Sequence, residues 1–315
     1  MAFLGVFGHV NMDYIMNVTG MPKPSSSAEV LDGKRYFGGV AGNIARISAR
    51  LGVPVALATF VGADFPKEYY NALKKLKIDL TDFVKCKDYI TPTCWIMTDV
   101  SQNQFSIINQ GPMRDMLKLG FAEYTVKNSE IIHISTGRPE YYMKIVELAS
   151  KLKKKIAFDP AQEIYYLYTP EYMRFMLSHA NFYFVNEAEY KLTLKMLGLK
   201  TKEDLLKLVE YLVITQGETG SEISTKDYTI RVPAIKPKKI VDPTGAGDAY
   251  RSGFYAGLSR KLPIEDCGLL GASMASFTLE AMGGQGALPT FDEVMERVKS
   301  SGLECKTEKR TKVEA

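Results

Sequence analysis

Short apolar runs alternate along this chain with longer stretches whose apolar residues recur every three or four positions. The runs fall at 3–7, 55–61, 131–134, 155–158, 181–185 and 211–215, lengths suited to strands buried on both faces. Helical periodicity occupies about 42–52, 66–77, 139–153, 170–178, 187–197 and 202–209. Strand–helix alternation of this kind predicts a mostly parallel sheet covered by helices on both sides. The last third changes character. Two short strands at 221–224 and 228–232 precede a glycine-rich helix start at Asp248 and an apolar helix over 267–280.

Two segments, 12–37 and about 89–111, do not fit the alternation. They carry period-two patterns such as Thr93-Cys94-Trp95-Ile96-Met97-Thr98 and Gln104-Phe105-Ser106-Ile107-Ile108. No helical crossover follows either one closely. Both therefore read as hairpin-like strands set apart from the main sheet, the alternative being an extension of its edge.

With 315 residues, 46% of them hydrophobic, the chain can bury a large core as one big α/β domain or two smaller ones. Its net charge of +4 comes from 40 basic and 36 acidic residues that are interspersed. That balance lacks the stripe a nucleic-acid partner needs. Four scattered cysteines without a CxxC, and only three histidines, argue against a zinc site or disulfide scaffold and fit a reducing cytoplasm. No segment approaches ~18 uninterrupted apolar residues, and the opening run is too short for a signal peptide. A cytoplasmic protein without a membrane partner is expected.

Chemistry concentrates in Asp242-Pro243-Thr244-Gly245-Ala246-Gly247-Asp248-Ala249-Tyr250-Arg251-Ser252-Gly253-Phe254. Gly245 and Gly247 allow a sharp turn and close approach to a ligand, and the amides of the following helix start favour negative charge. A carboxylate at such a place suits a general base beside a nest for a moving phosphoryl group. Taken alone, this pattern reads first as a tight loop with Asp248 an ordinary first-turn acid complementing the dipole. A second glycine cluster about 200 residues earlier, Gly38-Gly39-Val40-Ala41-Gly42-Asn43, also opens a helix. Two such loops suggest two ends of one elongated site.

Together these segments resemble the signature motifs of the ribokinase (PfkB) family of carbohydrate kinases. The later one matches at every defining position, the earlier one in Gly38-Gly39, Asn43 and the trailing Gly52. The likeness runs from Gly8-His9-Val10-Asn11-Met12-Asp13 to Gly283-Gly284-Gln285-Gly286-Ala287-Leu288-Pro289. Within the family the chain looks most like archaeal nucleoside kinases, through His9…Asp13, Thr91-Pro92…Trp95-Ile96, Phe158-Asp159-Pro160-Ala161-Gln162 and Tyr250-Arg251.

The resemblance implies a ribokinase-like three-layer αβα sandwich with a mainly parallel central sheet and a small β lid. Residues 1–11, 38–88 and 112–302 would form the α/β domain, 12–37 and 89–111 the lid, and 303–315 a charged tail. The lid would close over the sugar and provide a homodimer surface. The implied reaction moves the terminal phosphate of a nucleotide to the 5-hydroxyl of a ribose unit. The donor is ATP, with ADP not excluded, and the first acceptor a nucleoside such as cytidine, inosine, guanosine or adenosine. Ribose 1-phosphate, ribose or fructose 6-phosphate are the alternatives, and a non-catalytic sugar or nucleotide sensor is a third reading.

Carried onto this chain, the resemblance makes Asp248 the base and the Gly245, Ala246 and Gly247 amides its anion site. Asn11, Asp13, Gly38, Gly39, Asn43 and Gln162 would hold the acceptor. Thr215, Gly217, Gly220, Thr244 and Gly284 would border the nucleotide, together with Asn186. Asn186 and Glu189 read generically as a helix capping box, and in the family as the element that organises Mg2+ through water. Carbonyls near Asp242 and Thr244 are candidates for K+. Arg251 is expected to steady phosphate charge or to pair with an acid, and Arg114 and Arg138 to border the acceptor site if they face it.

Two departures matter. Val40 stands where bacterial ribokinases usually carry lysine, which moves the reading away from free ribose, and Pro243 replaces a usual threonine without touching the anion site. The first strand lacks GxGxxG and the chain lacks GxxxxGK[ST], which disfavours a dinucleotide oxidoreductase and a P-loop ATPase.

Overall fold

The computed structural model describes residues 1–101 and 103–310. The chain opens with β1 (Ala2–Phe7), β2 (Asn11–Val18) and β3 (Val30–Gly38). Helix α1 (Val40–Arg50) leads into β4 (Val55–Gly62), and α2 (Lys67–Lys75) into β5 (Phe83–Cys86). Strands β6 (Thr93–Asp99) and β7 (Gln104–Asn109) precede the short helices α3 (Met116–Leu119) and α4 (Glu123–Lys127). Three strand–helix units follow: β8 (Ser129–Ile134) with α5 (Pro139–Lys151), β9 (Lys155–Phe158) with α6 (Pro170–His179), and β10 (Phe182–Asn186) with α7 (Glu187–Leu197). After α8 (Lys202–Leu205) come β11 (Tyr211–Thr215), β12 (Ser221–Ser224) and β13 (Tyr228–Val232). Helices α9 (Ala246–Ser259), α10 (Ile264–Thr278) and α11 (Phe291–Ser301) lead to strand β14 (Lys306–Lys309).

Ten of these strands join in the order β14-β13-β12-β11-β10-β9-β8-β1-β4-β5. Neighbours from β5 to β11 run parallel, and β12, β13 and β14 are added antiparallel. The two-residue period of a strand sends alternate side chains to opposite faces. In β10, Phe182 and Phe184 enter a core shared with α1, α9 and α10, while Tyr183 and Val185 enter one shared with α5, α6 and α7. The three-layer αβα arrangement expected from the alternation is therefore present. Among the described residues no helix is long and apolar enough to cross a membrane.

The chain leaves β1 for β4 on one side and returns to β8 on the other. Such a reversal of strand order opens a crevice at the carboxyl ends of the strands. The other four strands, in the order β3-β2-β6-β7, form a second sheet, separate from the large one rather than an extension of its edge.

Two elements depart from expectation. The segment 303–315 is not a free tail throughout: Lys306–Lys309 pairs antiparallel with β13, Arg231 facing Lys306 and Tyr228 facing Lys309. Its Lys-Thr-Glu-Lys sequence has no apolar alternation, because an outermost strand exposes its side chains and is guarded by charge. Residues 311–315 lie outside the described residues. Strand β5, four residues at the opposite edge, likewise lacks a sequence signal.

Candidate active site

A cavity of about 280 Å³ opens between the carboxyl ends of the large sheet and the small sheet. His9 and Thr136, just past β1 and β8, lie at its floor, and Asn11 and Asp13 enter from β2. Gly39, Asn43 and Gln162 also line it, as do Thr244, Gly245 and Asp248. The two glycine clusters thus border one cavity, and Asn43 and Asp248, 205 positions apart in the sequence, meet there.

Helix α9 begins at Gly245, whose φ of 77° lies in the left-handed region. A Cβ there would come within 2.5 Å of the Gly284 Cα, so both backbones depend on the missing side chain. No side chain caps this helix. The Ala246 N–H donates to the Pro243 carbonyl at 3.2 Å, whereas the N–H groups of Gly245 and Gly247 have no partner among the described residues. Two open amides at a positive helix end make an anion site. Ala246, expected among its donors, is already engaged. Asp242 holds the turn: its Oδ1 accepts from Thr244 N at 2.9 Å and its Oδ2 from Gly283 N at 2.7 Å. Both carboxylate oxygens are occupied by backbone, so the Asp242 side chain has a structural duty in the turn, a contact separate from the carbonyls that are the K+ candidates.

Asp248 accepts a 2.7 Å hydrogen bond at Oδ2 from Asn43 Nδ2, and its Oδ1 has no partner among the described residues. Its carboxyl is raised to about 7: burial pushes it up most, the Asn43 bond and the Arg251 charge pull it down, and Asp159 and Asp13 push it up. Asp13 is similarly driven to about 7 by burial, although Asn11 Nδ2 donates to its Oδ1 at 2.5 Å. Gly38 packs its Cα against the Asp13 carboxylate, and Gly39 (φ 91°) leaves space beside the His9 carbonyl that a Cβ would fill. A group with a pKa close to neutrality, hydrogen-bonded on one oxygen and open on the other, is equipped to take a proton from a bound hydroxyl.

Beneath the turn, Arg251 grips Asp159: Nη2 donates to Oδ1 at 2.8 Å and Nε pairs with Oδ2. Both residues are buried, and burial pushes Asp159 up while Arg251 pulls it back. His133 lies alongside, driven down to about 3 by burial and the Arg251 charge, hence neutral. Of the two roles expected for Arg251, pairing with an acid is the one observed. A Cβ on Gly247 would meet Arg251 Nη1 at 2.8 Å, so the guanidinium sits directly behind the anion site. Arg114 and Arg138 do not line the cavity, and Arg138 Nε instead donates to the Arg114 carbonyl at 3.2 Å.

A second cavity, about 860 Å³, lies on the other side of the turn. Pro243, Ala246 and Gly247 border it, as do Thr215, Gly217 and Gly220 at the end of β11. Its walls are largely apolar (Ile235, Ile240, Ala272, Leu279), with Lys236 and Lys239 at its edge. Two expected nucleotide contacts lie elsewhere. Thr244 faces the first cavity, and Gly284 packs against Gly245 and Asn43 because the Gly283 amide is tied to Asp242.

Asn186 and Glu189 form the capping box of α7: Asn186 Oδ1 accepts from Glu189 N and Glu189 Oε2 from Asn186 N, both at 2.8 Å. Burial pushes the Glu189 carboxyl up. Asn186 is paired in register with Thr215, which places the box beside the second cavity. Among the described residues no cluster of three or more His, Cys, Asp or Glu could hold a metal by itself.

Several lining residues carried no sequence signal of their own. Cys94 and Ile96 on β6, with Ser106 and Ile108 on β7, share one face by strand alternation, which the period-two pattern contained. Gln110 and Glu163 were not legible. Gln110 Oε1 contacts His9 Nε2 at 2.6 Å, and its Nε2 donates to Glu163 Oε1 at 3.0 Å, across three separate loops.

Residues 1–291 match the description pfkB family carbohydrate kinase. A nucleoside kinase of Methanocaldococcus jannaschii is 38% identical over 296 residues, covering 92% of this chain and 95% of that one. The crystal structure of M. jannaschii nucleoside kinase, described as an archaeal member of the ribokinase family, superposes with a TM-score of 0.88 at 37% identity, over 95% of this chain and 99% of that one. A Burkholderia thailandensis nucleoside kinase in complex with ADP-inosine gives 0.83 at 25% identity, over 99% of each chain. Sequence and architecture agree over nearly the whole length, and the chain belongs to the pfkB family of carbohydrate kinases, phosphotransferases with an alcohol group as acceptor.

Proposed function

We propose that the protein phosphorylates the 5-hydroxyl of a nucleoside, with ATP as donor. The observation that carries this reading is the segregation of charge across the Gly245–Gly247 turn. Among the described residues, the acidic and basic side chains of the first cavity are Asp13, Glu163, Asp248 and His9, with no lysine or arginine. A phosphorylated sugar would bring its own negative charge into that acidic space, so ribose 1-phosphate and fructose 6-phosphate fit poorly. Of these two cavities the second alone is bordered by lysines among the described residues; its apolar walls suit a nucleobase, and Lys236 and Lys239 suit the phosphates of a nucleotide. The apolar faces of Cys94, Ile96 and Ile108 give the base of a nucleoside something to lie against, which free ribose would leave bare. The relative bound to ADP-inosine supports the same pairing of ligands.

In this reading Asp13 accepts hydrogen bonds from the ribose hydroxyls, and Asp248 Oδ1 takes the proton of the 5-hydroxyl. The oxygen then bonds to the terminal phosphorus as the bond from that phosphorus to the bridging oxygen breaks, leaving ADP. The open Gly245 and Gly247 amides, backed by Arg251, stabilise the charge on the transferring group. Magnesium bound to the donor phosphates would neutralise their charge, with Glu189 Oε1, which the capping box leaves free, accepting from its waters and Asn186 Nδ2 free to donate to a phosphate oxygen. The small sheet closes over the acceptor and excludes water.

A panel of nucleosides, ribose, ribose 1-phosphate and fructose 6-phosphate, each assayed with ATP and with ADP, tests the proposal. Nucleosides with ATP should give the highest kcat/KM. Preference for either sugar phosphate would overturn the assignment.

A further inference from the structure

Gln285 lines neither of the two cavities, yet it is buried and hydrogen-bonded through both its oxygen and its nitrogen. Its Oε1 accepts from Arg46 Nη1 at 2.9 Å, and its Nε2 donates to Asn43 Oδ1 at 2.9 Å and to Tyr69 Oη at 2.5 Å. The orientation of this amide is settled by chemistry on both sides. Arginine has donors and no acceptor, so Arg46 requires the Gln285 oxygen. Tyr69 commits its proton to the Gly38 carbonyl at 2.9 Å, so its oxygen must receive one from Gln285 Nε2. With Nε2 facing Asn43, the Asn43 side chain must present Oδ1 to Gln285 and Nδ2 to Asp248.

We infer that Gln285 is a positioning residue for phosphoryl transfer: it locks the Asn43 amide so that Nδ2, and not Oδ1, faces the Asp248 carboxylate. This rests on Asp248 being the base. The lock works through a chain of donors that starts at Arg46 and ends at Asp248 Oδ2, leaving Oδ1 for the acceptor hydroxyl. Without it Asn43 is free to rotate by half a turn and set a carbonyl against the carboxylate. The charged groups acting on Asp248 are Arg251 on its own helix, Asp159 after β9 and Asp13 on β2, and none of these touches Gln285. Tyr69 and Arg46 are the ionisable groups that do.

The test uses Gln285→Glu, which offers Asn43 a second acceptor, and Arg46→Met, which removes the donor that fixes the amide. Arg46 is partly exposed, so its substitution does not disrupt the core if Gln285→Glu fails to fold. Each should lower kcat/KM by roughly tenfold, the scale of one hydrogen bond's net contribution. Each should also move the acid limb of the kcat/KM profile to higher pH, because the Asn43 bond holds Asp248 down. Nucleotide affinity by calorimetry should be unchanged. Against an Asn43→Ala background neither substitution should have a further effect, since both act through that amide. An unmoved acid limb, or full additivity with Asn43→Ala, overturns the relay. Asp248→Asn is the separate control: if it keeps near-normal turnover, the base assignment itself fails.

Discussion

Asp13 shows what a single buried carboxylate contributes to binding and what it costs the empty protein. Its ordinary value of 3.8 is pushed to about 7 in the fold, chiefly by burial. A group raised on folding contributes stability that is fully present below its unfolded value and is lost as pH rises through the folded one. The ligand-free protein should therefore lose stability from Asp13 between about pH 4 and pH 7. Asp13→Asn removes that charge. At pH 8 its melting temperature should exceed that of the unsubstituted protein by roughly 2–4 °C per kcal/mol regained, and the gain should shrink at pH 5. The same variant should raise the Michaelis constant for nucleosides at least tenfold (about 1.4 kcal/mol) by removing the strong acceptor for ribose hydroxyls. Thermal scans at the two pH values and steady-state kinetics check both parts. A variant that melts lower at pH 8 would contradict the burial argument.

Elements were legible where one segment carries its own pattern. The apolar runs announced the parallel strands, and Gly245 and Gly247 announced the start of α9, because a turn of this kind needs residues without a Cβ. Strand β14 carried no such pattern, since Lys306 to Lys309 are exposed and their partner lies far back in the chain. The site divides in the same way. Asp13, Asn43 and Asp248 stand in motifs, whereas the duty of Gln285 depends on Arg46, Tyr69 and Asn43 meeting it in space. Gly284 was misplaced for that reason: its neighbour Gly283 is held by Asp242 on another loop. Strand β14 also has a measurable role. Deleting 303–315 uncovers β13 and removes the Arg310 bonds to Asp227 and Glu203. The truncated protein should melt a few degrees lower and aggregate sooner on heating, with kcat unchanged because no residue of β14 lines either cavity. Light scattering during a thermal ramp and a turnover assay check this, and unaltered melting would make β14 dispensable.

At the scale of the whole molecule, the small sheet has two outer strands, β3 and β7, that expose large apolar side chains. Val30 is 52% exposed, Leu31 55%, Phe105 54% and Ile107 50%. Open strand edges of this kind invite pairing, and apolar ones are usually covered. We expect a second copy of the chain to cover them, so that each lid is braced by its partner. Sedimentation velocity should report a dimer, and Leu31→Glu combined with Phe105→Glu should yield monomers with a raised Michaelis constant for the nucleoside. A wild-type protein that sediments as a monomer at every concentration tried would remove this surface from consideration.

The partition between the two cavities is one backbone turn thick, with Gly245 facing one side and Gly247 the other. A single molecule that joins a nucleoside to a nucleotide by a short phosphate tether would span that partition and occupy both chambers at once. Its second half would bind at the high local concentration set by the tether, so the thickness of the turn defines the linker length for a bisubstrate inhibitor.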